Sequence, residues 1–374
     1  MQKVGFVGWR GMVGSVLVER MHSENDFDFL ESSFFTTSQV GQKTPTYLKD
    51  NDFLLDAFDI NELSRMDIIV TCQGGDYTKK VYPELKKIGW QGHWVDAASS
   101  LRMDDDALIV LDPINQDAID DAYQRGIKTW VGGNCTVSLM LLAIHGLIKE
   151  NAVDWVSSMT YQAASGAGAQ NMRELLEQMG SLYNSAREML DDPRSNILAI
   201  DQKVLESMHT NSFPKDNFVV PLAGNLIPWI DQDLNNGQSK EEWKGQAESN
   251  KILQNGHDSI KVDGLCVRVG SMRSHSQALT IKLKKDYDVK QVEKLIANGN
   301  EWVKLIPNTR ENSIHDLTPS SVSGTLDIVI GRIRQLNFDK NIFSAFTVGD
   351  QLLWGAAEPI RRILKILIQK GRLN

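Results

Sequence analysis

The stretch GGNCTVSLMLLAIHG sets Cys135 behind two glycines and an asparagine and ahead of an apolar run. Asn134 is a favourable N-cap residue, so Cys135 would open a helix over 136–149. Unpaired amides and the macrodipole at a helix start favour an anion, which would lower the thiol pKa there. The same amides would offer hydrogen bonds to an oxyanion formed at the sulfur. A small buried hydrophobe fits this position equally well, and position alone leaves both readings open. Cys72 and Cys266 fall within apolar strand patterns and read as core. A nucleophilic thiol wants a base in reach. Of the seven histidines, His275 in VRVGSMRSHSQALTIKL is the most suggestive, since it precedes an apolar strand and follows Arg268 closely. An odd separation would turn the two to opposite faces of one straight strand. Gly270 and Ser271 must therefore interrupt that strand if both side chains enter one pocket.

A second constellation lies near the N-terminus. GWRGMVG spaces Gly8, Gly11 and Gly14 directly after an apolar strand and at the start of a helix. Glycines there permit a tight turn and let backbone amides approach a pyrophosphate at the positive helix end. The second strand pattern, ESSFFTTSQ, ends in Thr36, Thr37 and Ser38, while Glu31 lies before it. No acid stands where an NAD-type ribose would need one. Small hydroxyls with Arg10 nearby suit a 2′-phosphate, so NADP is favoured over NAD. Gln73 follows the strand DIIVTC at its carboxyl end, where open α/β sheets bind ligands. In EEWKG, Glu241 and Lys244 would share one helix face, as a solvated ion pair or as part of a site.

The elements that would position these residues form two groups. Near-continuous apolar strands over 3–7, 32–36, 67–71, 93–96 and 127–131 alternate with helices over 12–21 and 77–88. This pattern predicts an α/β fold with an N-terminal Rossmann-like, doubly wound parallel sheet. After about residue 134 the strands over 155–162, 264–269 and 278–283 and a helix over 172–179 suggest an α+β domain. Residues 1–133 are expected to form the NADP-binding domain, with a C-terminal helix in 357–374 packing back on it. Residues 134–356 are expected to form the second, α+β domain. The polar region 235–263 reads as an exposed helix plus loop.

Bulk composition narrows the function classes. The 374 residues are 24% charged with a formal net charge of −8, which argues against a nucleic-acid surface. Three scattered cysteines make a poor disulfide framework and a poor zinc site, so no metal is expected and reduced thiols point to the cytoplasm. The longest apolar stretch, 137–148, is too short for a bilayer and contains His145.

In order along the chain, GWRGMVG, TCQGGDYT, DAASSLRM, GGNCTVSLM, YQAASGAG, EEWKGQAE, CVRVG, HSQA and FTVGDQLLWGAAEP closely resemble bacterial aspartate-β-semialdehyde dehydrogenases of the Gram-negative type. The resemblance implies an NADP-dependent homodimer that reduces aspartyl phosphate to aspartate semialdehyde with release of phosphate, on the route to lysine, methionine and threonine. It implies Cys135 as nucleophile, His275 as general acid/base and Gln162 as the residue positioning the acyl group. Arg268 resembles the clamp on the substrate α-carboxylate, and Glu241 the acid meeting its ammonium. Arg102 and Lys244 resemble the phosphate-binding cations. Gly8, Arg10, Gly11, Met12, Val13, Thr37, Ser38, Gln73, Ser165, Gly166, Pro193 and Gln351 fall at positions resembling the family's cofactor contacts. Ser274 stands where relatives often carry cysteine. An N-acetyl-glutamyl-phosphate reductase would share thiol, histidine and NADP but should lack Glu241; a non-catalytic NADP sensor would be indifferent to loss of Cys135.

Overall fold

A computed structural model describes residues 1–45, 53–253 and 259–373. Strands β1 (Gln2–Val7), β2 (Leu30–Thr36), β3 (Leu55–Asp56), β4 (Ile68–Thr71), β5 (His93–Asp96), β6 (Ala107–Val110) and β7 (Thr129–Gly132) form one sheet. Its order is β3-β2-β1-β4-β5-β7-β6, and every pairing is parallel. The order reverses at β1, so the carboxyl ends of β1 and β4 open beside each other, at the switch point where such sheets hold ligands. β6, a four-residue buried strand at the sheet edge, was not among the strands expected from the sequence.

Both faces of this sheet are covered. Helix Met12–Ser23 buries Leu17, Val18 and Met21 against one face. The same face receives helix Glu358–Leu373, whose Ile360, Ile363, Leu364, Leu367 and Ile368 join Val4, Phe6, Ile68 and Val70 in one cluster. Five such side chains contribute about 10 kcal/mol of apolar burial. The last helix is therefore part of the first sheet's core.

The second sheet is mixed. It contains β8 (Val153–Gln162), β9 (Leu226–Ile227), β10 (Lys261–Val269), β11 (Ser274–Leu283), β12 (Val303–Leu305), β13 (Ile328–Leu336) and β14 (Asp339–Asp350). The order is β12-β13-β14-β11-β8-β10-β9. β8 pairs parallel with β10 and antiparallel with β11. Helix Cys135–Ala143 packs against this sheet with Val137 to Ala143 buried on every side, so it carries no amphipathic signal.

Three local expectations change. The helix foreseen over 136–149 starts at Cys135 and breaks at Ile144, continuing as His145–Lys149. The helix foreseen over 172–179 runs the full length of Ala169–Asp191. The polar helix in 235–263 is Lys240–Ile252, and it is not exposed: Glu241, Glu242, Lys244, Glu248 and Ser249 are buried. Its charged residues Glu241, Glu242, Lys244 and Glu248 turn inward because each meets a partner there, which composition alone does not reveal. Residues 254–258 of that region lie outside the described residues. Among the described residues, no helix is long and apolar enough to cross a membrane.

Candidate active site

Asn134 fixes the position of the sulfur. Its Oδ1 accepts from the amides of Thr136 and Val137 at 2.9 and 3.2 Å, so the cap expected from sequence is present. Its own N–H donates to Glu248 Oε2 at 2.6 Å, and its Nδ2 to Glu241 Oε1 at 2.9 Å. The residue before the thiol is thus pinned to one face of helix Lys240–Ile252 by two carboxylates. Capping has a cost for the chemistry, since the Thr136 and Val137 amides are already engaged and do not face a reacting oxygen. On the far side Gly355 approaches closely, and a Cβ there would stand 2.9 Å from the Cβ of Cys135.

Arg268 and His275 meet the thiol from two different strands. β8 runs between β10 and β11, with its last residue, Gln162, in register with Arg268. The chain turns between β10 and β11, which removes the parity problem posed by their odd separation. His275 Nε2 stands 3.3 Å from Cys135 Sγ. The Ala163 amide donates to His275 Nδ1 at 3.0 Å, and Arg268 Nη1 donates to the Ala163 carbonyl at 2.7 Å. A neutral ring accepting at Nδ1 carries its proton on Nε2, facing the sulfur.

The electrostatics differ from the sequence expectation. Burial, with Glu241 adding to it, pushes the Cys135 thiol up to about 12, although Arg268, Arg102 and Lys244 act in the other direction. Burial and the nearby Arg268 charge hold His275 well below the ordinary imidazole range. The pair is therefore a thiol beside a neutral imidazole. A helix start alone does not keep Cys135 ionised when a carboxylate is buried nearby.

A cleft of about 880 Å³ is lined by Arg102, Cys135, Gln162, Glu241, Lys244 and Arg268, among others. The sequence-predicted substrate and phosphate residues thus converge. Gln162 Nε2 reaches Glu241 Oε1 at 3.2 Å, and Lys244 Nζ reaches Glu241 Oε2 at 2.9 Å. Burial opposes ionisation of Glu241, but Lys244, Asn134 and Gln162 hold its carboxyl below the ordinary range. Arg102 donates to the carbonyls of Gly132 and Gly133 and to Glu248 at 2.7–3.1 Å. Lys244 makes a second ion pair, to Asp231 Oδ2 at 2.6 Å.

The glycine turn forms a neighbouring cleft with Arg10, Gly11, Thr37 and Gln73. Gly8 has φ +73°, and a Cβ there would lie 2.5 Å from the Cys72 carbonyl carbon. A Cβ on Gly14 would lie 2.2 Å from the Gly8 oxygen. Only glycine lets β1, helix Met12–Ser23 and the β4 end close this tightly. Arg10 Nη2 donates to Thr36 Oγ1 at 3.1 Å and Ser38 Oγ at 3.4 Å, and Nη1 to Gln39 Oε1. A cation among hydroxyls at the end of β2 is chemistry suited to a phosphate ester.

Val13, Gly166 and Gln351 line the cleft that holds Cys135, and Met12 opens the helix behind the glycine turn. Gln351 Oε1 is buried without a hydrogen-bond partner, so the site offers an acceptor for a donor on a bound molecule. Ser165 donates its hydroxyl to the Arg273 carbonyl. Pro193 is exposed between helices Ala169–Asp191 and Ile197–Met208 and lines neither cleft. Sequence reasoning missed Asp231, Glu248 and the Asn134 side-chain link. Glu248 was accessible in principle, because Glu241, Lys244 and Glu248 recur at i, i+3 and i+7. Asp231 lies in irregular chain and gave no signal. Among the described residues no cluster of His, Cys, Asp and Glu could hold a metal ion.

Two family models match the chain: "Semialdehyde dehydrogenase, NAD binding domain" over residues 3–122 and "Semialdehyde dehydrogenase, dimerisation domain" over 144–354. The chain is 52% identical to aspartate semialdehyde dehydrogenase from Francisella tularensis, covering 98% of this chain and 100% of that one, with a TM-score of 0.94. Aspartate semialdehyde dehydrogenase II from Vibrio cholerae, solved with ASA, is 24% identical over 99% of this chain and 98% of that one, with a TM-score of 0.78. The Candida albicans enzyme, solved with NADP, is 16% identical over 99% and 98% of the two chains, with a TM-score of 0.66. The last two likenesses speak to the fold.

Proposed function

Given that the chain belongs to the semialdehyde dehydrogenase family, we propose that it is an NADP-dependent aspartate-semialdehyde dehydrogenase. It would convert aspartyl phosphate to aspartate semialdehyde and phosphate through a thioester on Cys135. The observation that carries this reading is a thiol 3.3 Å from a buried neutral imidazole, in a cleft that also holds a guanidinium and a buried carboxylate.

The Cys135 sulfur attacks the acyl carbon, the bond from that carbon to the phosphate oxygen breaks, and the thiol proton leaves with the phosphate, which departs toward Arg102 and Lys244. A thioester accepts hydride where a carboxylate does not, so the covalent step divides one hard reaction into two. NADP, when bound, carries the hydride. Gly8, Gly11 and Gln73 would admit its pyrophosphate, Arg10, Thr37 and Ser38 its 2′-phosphate, and Gln351 its nicotinamide end. His275 holds a proton on Nε2, turned toward the sulfur, and donates it in a hydrogen bond to the oxygen that develops beside Cys135. Because the capped amides of Thr136 and Val137 are engaged, this N–H is the donor aimed at the reacting atoms.

Arg268 suits the α-carboxylate because a planar guanidinium matches it with two parallel bonds. Glu241 suits the free ammonium, which disfavours an N-acetylated substrate. A homodimer fits the outward apolar side chains of the second sheet, Met159 and Tyr161 on β8 and Leu265 on β10. A cytoplasmic setting fits three unpaired cysteines.

The test is an assay of purified protein with NADP and aspartate semialdehyde, with and without phosphate. Phosphate-dependent formation of NADPH is expected, and Cys135→Ala should abolish it. Turnover retained in that variant would remove the covalent mechanism.

A further inference from the structure

Lys244, read above as a phosphate-binding cation, already has its charge matched twice. Its Nζ donates to Glu241 Oε2 at 2.9 Å and to Asp231 Oδ2 at 2.6 Å. The two carboxylates are not equivalent. Glu241 is tied down by Asn134 and Gln162 as well, and its side chain is 6% exposed. Asp231 comes from the irregular segment before helix Lys240–Ile252, its side chain is 29% exposed, and it lines the Cys135 cleft. Its other oxygen accepts from the amide of the next residue, Gln232, at 2.8 Å. Its backbone has φ +71°, a conformation that costs an aspartate something to hold.

The local charge balance makes this contact consequential. Arg102, Lys244 and Arg268 face Glu241, Glu248 and Asp231, so three cations meet three carboxylates. A dianion arriving at Arg102 and Lys244 meets no excess positive charge while Asp231 remains in place. Movement of that carboxylate off the ammonium would restore net positive charge and free a second donor for the dianion.

We propose that Asp231 is a displaceable counter-anion to Lys244 and sets the affinity of the site for phosphate. This rests on the reading of Lys244 as a phosphate-binding residue. When phosphate departs, Asp231 returns to Lys244 and opposes its rebinding, which favours release of the product anion. Asp231 is thus a specificity-determining residue that acts through Lys244.

The experiment measures inorganic phosphate by its protection of Cys135 from iodoacetamide, followed on the Cys135 peptide by mass spectrometry, in the full-length protein. Asp231→Asn tolerates the left-handed backbone and removes the charge. It should lower the half-protecting phosphate concentration about five-fold, the size of effect expected for one partly exposed charge. Asp231→Gly, which also relieves the backbone, should shift it in the same direction, and Asp231→Glu should stay near the parent value. In the coupled assay, KM for phosphate should fall while KM for the amino aldehyde changes little. Unchanged or weaker protection by phosphate in both neutral variants would overturn the proposal. So would a rise confined to the amino-aldehyde KM, which would make Asp231 an ammonium partner instead. Protection needs no turnover, so a protein inactive toward aspartate semialdehyde would sink the proposed function and leave this test standing.

Discussion

At the scale of single residues, the sulfur and the imidazole are coupled by burial as much as by proximity. A helix N-terminus stabilises a thiolate, yet the Cys135 thiol is pushed up to about 12 by burial and by Glu241. The imidazole, held low by burial and Arg268, does not provide a resting cation to offset this. The consequence is measurable without substrate. The thiolate fraction should grow with each pH unit, so alkylation of Cys135 by iodoacetamide should keep accelerating through pH 9. A plateau between pH 6 and 8 would instead reveal a resting thiolate–imidazolium pair. The two other thiols, Cys72 and Cys266, are also raised to about 12 by burial, so the Cys135 peptide must be followed by mass.

At the scale of elements, the site depends on one helix start and one polar helix face held together by Asn134. Asn134→Ala removes the acceptor for two amides and the Nδ2 donor to Glu241. Loss of such a cap costs about 1–2 kcal/mol. The thermal midpoint should therefore fall by about 1–3 °C, and an unchanged midpoint would show that the cap is dispensable. Helix ends of this kind were legible in the sequence, because GGNC places a capping residue before an apolar run. The parallel strands of the first sheet were legible for a similar reason, being buried on both faces and nearly continuous in apolar residues. Helix Lys240–Ile252 was legible as a helix but not as a buried one, because periodicity detects apolar faces and this helix buries a polar one. Its inward residues are satisfied by Arg102, by Asn134 and by Asp231, partners remote or irregularly placed in sequence. Arg268 and His275 were found by type and neighbourhood, but only the intervening strand β8 explains how both face the thiol.

At the scale of the whole molecule, helix Glu358–Leu373 links the end of the chain to its beginning. Arg361 is buried and pairs with Asp26 Oδ2 at 2.7 Å and Glu358 Oε1 at 3.0 Å, while Arg20 reaches the other Glu358 oxygen at 3.1 Å. Removing one partner from a buried network leaves carboxylates uncompensated. Arg361→Ala should destabilise by about 3 kcal/mol, read by urea unfolding. Burial already raises the Asp26 carboxyl above its usual range. A carboxyl raised on folding gains stability as pH falls, so the deficit of the variant should narrow on acidification. A deficit that widens would mean Asp26 is held ionised by other groups. The connection also sets an order on synthesis. The first sheet is translated early, but the helix that closes one of its faces follows only after the whole second sheet. Until that helix emerges a nascent chain carries an open apolar face on the first sheet, and the nucleotide cleft cannot reach its final shape.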